Sequence, residues 1–305
     1  MPTSCRECLP DLRPGQVYLW TLVTDDTTDA AACRLQELLS VEEKNEAHRF
    51  LRVVDRHQFV IARALVRLAL SHHFSIRADA WRFDRDRNRR PFIDFPTIFP
   101  PVRFSVSHTR GLVACLITLS TDAAVDVEKV EHSEDLVLVA GQVLSPGESE
   151  ALVLLSGGDW TRRIFDHWTL KEEYAKARGL GLNLTLSNVG FEIKPDNTIS
   201  AHFASQIDDD SSAWVFWHRH LAHHTISVAV KKDFGNECEI ILWPVKFDGA
   251  GIAPEVRALA DPNDAGTRWL HTARGAQVGA RPVADVTALA RRRGLAFRPC
   301  KNVSA

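Results

Sequence analysis

The segment AVDVEKV, residues 124–130, sets Asp126 and Glu128 two positions apart. Side chains alternate along a β-strand, so the two carboxylates share one face while Val125 and Val127 share the other. Neighbouring like charges repel, and a hard divalent cation between them removes that repulsion. Mg2+ suits the position, because it takes oxygen ligands and commonly uses one or two carboxylates plus substrate phosphates. The plain alternative is a charged edge strand protected against aggregation. A second segment, WTLKEEYAK at 168–176, carries Trp168, Glu172 and Lys176 at four-residue spacing, which is one helix face. A Glu–Lys pair at that spacing is also an ordinary helix-stabilising ion pair, but a large aromatic in line with it argues against full exposure. Glu173 falls off that face and is expected to be solvated.

In FSVSHT, residues 104–109, Ser105, Ser107 and Thr109 alternate with Phe104, Val106 and His108. His108 is then a rim residue or a phosphate contact at a strand end. Arg87, Arg89 and Arg90 precede Pro91; such a cluster suits bidentate phosphate recognition, or solubility alone. Arg52, Arg56, Arg63 and Arg67 fall at near-helical spacing and read as a solvated helix face.

The elements that must position these residues are legible as hydrophobic patterns. VYLWTLV (17–23) reads as a strand, and DAAACRLQELLSVEEKNEAHRF as helix with a break near Ser40. Residues 55–74 form an amphipathic helix with Phe59, Ala62, Val66, Ala69 and Leu70 along one side. WRFDRD is a strand, residues 88–96 a loop, and 102–109 and 112–120 two strands about an Arg110-Gly111 turn. Beyond AVDVEKV come a helix, a second helix starting at Ser145-Pro146, and a long helix over 159–182 ended by Gly179 and Gly181. FEIK, WVFWHR and HTISVAVK complete the strands. The pattern predicts two mixed α/β halves.

Composition narrows the function classes. The 305 residues are 45% hydrophobic and 25% charged, which is ordinary for a globular chain long enough to bury a sizeable core. A formal net charge of −2 does not indicate a globally basic nucleic-acid binder. The six cysteines are scattered; Cys5 and Cys8 form one CxxC with no second pair at zinc spacing. The N-terminus lacks a secretory pattern, and apolar runs stay below the ~18 residues of a membrane span. A soluble, cytoplasmic protein is expected. Past about residue 244 the text turns rich in Ala, Arg, Gly and Pro, with short helices conceivable at 254–260 and 282–293.

Taken in order, Arg90-Pro91, Ser107-His108, Ala124-Val125-Asp126-Val127-Glu128 and Trp168-Thr169-Leu170-Lys171-Glu172…Lys176, followed by ARGLGL, resemble the Sfp-type 4′-phosphopantetheinyl transferases. Ala124 stands where that family usually has Gly, and Glu173 where a small residue is common. The resemblance spans about residues 17–232 and implies an α+β (mixed α/β) pseudo-dimer of two similar sheet-plus-helix halves with the active site in the cleft between them. The organisation expected is a loose segment 1–16, halves 17–122 and 123–243, and an extension 244–305 of unknown role. The implied reaction moves 4′-phosphopantetheine from coenzyme A to a serine of an apo acyl or peptidyl carrier protein, releasing adenosine 3′,5′-bisphosphate. Asp126, Glu128 and Glu172 would hold Mg2+; Glu172 would act as general base, and Lys176 would bind pyrophosphate with Lys171 at the same cavity edge. His108, Ser107 and Arg90 would contact CoA phosphates, with Arg49, Arg52 and Arg56 open for the 3′-phosphate. Neither nucleic acid nor membrane is expected as a partner. The alternatives are a non-catalytic CoA-binding module and a metal-dependent phosphoesterase acting on CoA or nucleotides.

Overall fold

A computed structural model describes residues 12–25, 27, 29–88, 90–133, 135–180, 184–232 and 238–247, with short strands at 252–254 and 270–272. The first half contains β1 (Gln16–Val23), α1 (Asp29–Gln36), α2 (Val41–Ala47), α3 (Val53–His73), β2 (Arg82–Arg85), β3 (Pro91–Phe95), β4 (Val102–Thr109) and β5 (Leu112–Leu119). The second holds β6 (Ala123–Lys129), α4 (Leu136–Val143), α5 (Pro146–Leu152), α6 (Gly157–Arg178), β7 (Val189–Ile193), β8 (Ile199–Phe203), β9 (Trp214–Leu221) and β10 (His224–Lys231). The chain closes with β11 (Glu239–Phe247), β12 (Ile252–Pro254) and β13 (Leu270–Thr272).

The two halves repeat one topology. In the first, β1, β5 and β4 lie side by side in that order, all antiparallel, with α3 ahead of the β4–β5 hairpin. In the second, β6, β10 and β9 lie side by side in the same order, again antiparallel, with α6 ahead of the β9–β10 hairpin. The pseudo-dimeric mixed α+β architecture follows from that correspondence.

The layers explain why several strands read as continuous apolar runs. Tyr18, Trp20 and Leu22 of β1 face a core built with α3, while Val17 and Leu19 face a second core built with Val125 and Val127 of β6 and Val228 of β10. A third core joins Ala124 and Ala229 to Leu170, Tyr174 and Ala177 of α6. The order is therefore helices, sheet, sheet, helix, and the central strands are covered on both faces.

Local signals behave as their chemistry dictates. Ser40 caps α2 in a capping box with Glu43, and Ser145 caps α5 in another with Glu148, helped by Pro146. Gly179 closes α6 in the left-handed region at φ +67°. Gly111, at φ +93°, makes the β4–β5 turn; a Cβ there would stand 3.1 Å from the His224 ring, whose Nε2 lies 2.8 Å from the Arg110 carbonyl.

Four sequence expectations change. Residues 88–96 are not a loop throughout, because β3 pairs with β2. β8 is an additional strand. The arginine stripe on α3 is not a solvated face: Arg67 is fully buried, donating to Glu43 at 2.6 Å and to the carbonyls of Ala78 and Trp81. The chain also does not leave the fold at 243: β11 crosses that point and pairs with β1 in parallel, Gln16 opposite Glu239 through Leu22 opposite Val245. The helices expected at 254–260 and 282–293, with Cys5, Cys8, Arg89 and Gly181, lie outside the described residues.

Candidate active site

The site lies where β4 of the first half passes β6 of the second. β6 is the outer strand of its sheet, so its outward N–H groups need partners. Strand β4 supplies them from side chains: the Ser105 hydroxyl accepts from Val125 N at 3.3 Å, and the Thr109 hydroxyl accepts from Lys129 N at 3.3 Å. Between these two, Ser107 Oγ donates to Asp126 Oδ1 at 2.8 Å. The alternation visible in FSVSHT is thus a rail of hydroxyls joining the two repeats.

Asp126 is only 3% exposed. Its Oδ1 also accepts from Lys176 Nζ, reaching across from α6, and Lys176 Nζ stands 3.3 Å from Ser107 Oγ. Its Oδ2 is buried without a hydrogen-bond partner among the described residues. Glu128, on the same strand face, is pushed up to about 7 by burial and then by the Asp126 charge. Glu172 is raised for the same reasons in the same order. Burial opposes the Lys176 ammonium, but the charges of Asp126, Glu172 and Glu128 outweigh it and raise its pKa. Asp126, Glu128 and Glu172, with Glu173 behind them, thus all feel the Lys176 cation, and Glu128, Glu172 and Glu173 are held reluctant to ionise. This donor set fits a hard divalent cation, which would meet the orphaned Asp126 oxygen and favour ionised Glu128 and Glu172. Their oxygens are more widely spread than those of the cluster Asp166, His218 and His220, the one described trio whose ligand atoms lie within 4.8 Å of each other.

The remaining sequence-selected residues are distributed as follows. Arg90 donates to Asp122 at 2.9 Å and to the Ala177 carbonyl at 3.2 Å, pinning the first half onto the end of α6; its Nη2 is buried with no partner among the described residues. His108 alternates away from Ser107 and is solvent-exposed. Arg52, exposed, precedes the first residue of α3, and Arg56 lies in its first turn; Gln58, further along, donates to the Thr109 carbonyl and brings that helix start to the end of β4. Arg52, Arg56 and His108 are therefore near the seam's end and outside the hydrogen-bonded carboxylate cluster. Trp168 is half-buried and stacks on Phe165.

Two residues depart from expectation. Lys171 does not line the cavity edge: it is fully buried, donating to the Val143 carbonyl at 2.6 Å and to Glu148 Oε2. Glu173 is not solvated; it is fully buried and both carboxyl oxygens are without a hydrogen-bond partner among the described residues. Burial, then the Asp126 charge, hold Glu173 well above the ordinary carboxylate range. An unsatisfied buried polar group costs about 1–3 kcal/mol. Glu173→Met should therefore raise the unfolding free energy by about that amount, read as an upward shift in thermal midpoint; a lowered midpoint would show that those oxygens are satisfied in the folded protein.

Sequence reasoning missed Asp122, which anchors Arg90, and Glu148, which accepts from Ser145 N, Lys171 Nζ and Phe191 N. The only linear signal for Glu148 was its place three residues after Ser145.

Comparison with known proteins agrees with this division into repeats. Residues 25–119 match a family described as 4′-phosphopantetheinyl transferase, N-terminal, and residues 123–230 match the 4′-phosphopantetheinyl transferase superfamily. The chain is 27% identical over 174 residues to the 4′-phosphopantetheinyl transferase HetI of a Nostoc species, covering 56% of this chain and 72% of that protein. It is 25% identical over 167 residues to the 4′-phosphopantetheinyl transferase Sfp of Bacillus subtilis, covering 55% and 72%. A solved holo-(acyl-carrier-protein) synthase from Bacillus anthracis aligns with a TM-score of 0.31 at 14% identity, over 36% of this chain and 94% of that one. With its two halves matched on either side of the β5–β6 junction, this chain belongs to the 4′-phosphopantetheinyl transferase superfamily.

Proposed function

We propose that the protein transfers 4′-phosphopantetheine from coenzyme A to a serine hydroxyl of an apo acyl or peptidyl carrier protein. The observation that carries this reading is the seam cluster: Asp126, Glu128 and Glu172 drawn around Lys176 and Ser107 between the two repeats. In the reaction the serine oxygen bonds to the phosphorus bearing pantetheine. The phosphoanhydride bond breaks, and adenosine 3′,5′-bisphosphate leaves. Such transfers depend mainly on positioning and on neutralising charge.

Glu172 is assigned the serine proton. Its half-buried carboxylate shares a helix face with Lys176 and, once ionised, is the base available there. Lys176, exchanging its Asp126 partner for phosphate, would hold the pyrophosphate oxygens. Arg90 is already oriented by Asp122 and Ala177 and offers its Nη2, without a partner among the described residues, as a further phosphate donor. Asp126, Glu128 and Glu172 would hold Mg2+, which supplies neutralisation of charge on the leaving group. His108, Arg52 and Arg56 would reach the adenosine end of coenzyme A from the α3 side of β4.

The test is mass spectrometry of an apo carrier protein incubated with the full chain, coenzyme A and Mg2+. A phosphopantetheine mass gain on the carrier serine, abolished by EDTA, is expected. Breakdown of coenzyme A with no carrier modification would make the protein a phosphoesterase instead. Binding of coenzyme A with neither outcome would make it a non-catalytic module.

A further inference from the structure

A second constellation lies on α6, two turns before Glu172. Asp166 projects from the helix, and His218 and His220, two residues apart on β9, share one strand face. His218 Nε2 stands 2.9 Å and His220 Nε2 2.8 Å from the same Asp166 oxygen, Oδ1. Thr225 of β10, opposite His220 in the ladder, brings its hydroxyl 3.2 Å from that oxygen and 2.8 Å from His218 Nε2. The two imidazole rings meet edge to face with centroids 4.9 Å apart.

Asp166 and His218 have side chains 3% exposed, whereas His220 is 27% exposed. The cluster is thus closed on two sides and open on the third. As a plain hydrogen-bond hub the arrangement is crowded, with three donors directed at one carboxylate oxygen. With both imidazoles neutral and turned to carry their protons on Nδ1, the same geometry offers two nitrogen lone pairs and one anionic oxygen at a single point.

We propose that Asp166, His218 and His220 form a site for a borderline divalent transition metal, Zn2+, separate from the carboxylate site at the repeat seam. Two nitrogens and one carboxylate oxygen are a zinc ligand set. Tetrahedral coordination at about 2.0–2.1 Å sets ligand atoms about 3.3 Å apart, so the two imidazole–carboxylate distances of 2.9 and 2.8 Å need to open by only about 0.5 Å. A water completes the shell on the His220 side. The cation would clamp α6, which carries Glu172 and Lys176, to the sheet behind it. Imidazole nitrogens disfavour Mg2+, so the two sites would discriminate between metals by ligand type.

The test is equilibrium dialysis of the full-length protein against buffered Zn2+, followed by metal analysis, with Co2+ substitution to read coordination from its d–d absorption. One Zn2+ per chain is expected in the wild type and equally in Asp126→Ala. Affinity should fall at least tenfold in His220→Ala, with loss of the tetrahedral Co2+ spectrum. His220 is the most exposed ligand, so its replacement leaves the packed pair in place; His220→Gln repeats the test with bulk conserved. No bound zinc in the wild type would overturn the proposal. So would zinc that survives both His220 variants, or that disappears instead with Cys5→Ser/Cys8→Ser or with Asp126→Ala.

Discussion

Asp126→Ala is expected to lower carrier-protein modification by on the order of 10²–10³-fold, the loss seen when one preorganised charge-stabilising group is removed from an active site. Glu172→Ala should fall as far. Asp126 is the centre of the cluster: it orders Ser107 and Lys176 and raises the proton affinities of Glu128 and Glu172. Without it Lys176 loses its buried counter-charge, and the remaining carboxylates ionise more readily while offering one fewer ligand. The two variants should differ in detail. Asp126→Ala weakens Mg2+ affinity first, so raised Mg2+ recovers part of its rate. Glu172→Ala removes the proton acceptor, so excess Mg2+ recovers little. Carrier modification is followed by mass spectrometry across a Mg2+ series at saturating coenzyme A. Unchanged rates in both variants would move the chemistry away from the seam.

The largest stability effect is expected at Glu148. This carboxylate is 4% exposed and takes the Ser145 and Phe191 amides and the fully buried Lys171 ammonium, with His167 Nδ1 at 3.1 Å from its Oε1. It ties α5, α6 and β7 together. Removing one partner of a buried pair strands the other charge, so Lys171→Met should cost about 3–5 kcal/mol, and Glu148→Gln a similar amount. The double variant should lose less than the sum, because neither charge is then left alone. Burial works against the Glu148 charge, but His167 and Lys171 prevail and bring it to about 2, below the ordinary value of 4.5. The stabilisation is present above pH ~4.5 and is lost as pH falls towards ~2. Denaturant unfolding of the three variants against pH checks this. A Lys171→Met protein as stable as wild type at pH 7 would sink the assignment.

Much of the architecture was legible because it rests on local periodicity. The hydroxyl alternation of FSVSHT, the paired carboxylates of AVDVEKV and the four-residue spacing of Trp168, Glu172 and Lys176 each fixed a face before any contact was known. What failed was decided by packing. Lys171 and Glu173 flank Glu172, and a helix turns about 100° per residue, so periodicity placed them off the Glu172 face. It could not show that α6 is covered on those sides too, by α4 and α5 on one and by the second sheet on another. Arg67 follows the same logic, its charge absorbed by Glu43 and two carbonyls contributed from elsewhere in the chain. Strand β11 was hidden differently. Pro244 interrupts its run, and a proline inside a strand argues against a central position. Its parallel partner lies more than two hundred residues upstream, beyond the reach of any local pattern. The trio on α6 and β9 had no linear signature, since Asp166 and His218 lie 52 residues apart and meet only when α6 packs on the second sheet.

The return of β11 to β1 has a consequence for synthesis on the ribosome. Gln16 is made 223 residues before its neighbour Glu239, which emerges only after both repeats have been translated. At about 5–20 residues per second the outer edge of β1 stays open for roughly 10–45 s. During that interval the nascent chain offers an unpaired, apolar strand to any other chain nearby. Covering that edge therefore waits on β11, and a ribosome that stalls before residue 239 leaves β1 as an adhesive surface.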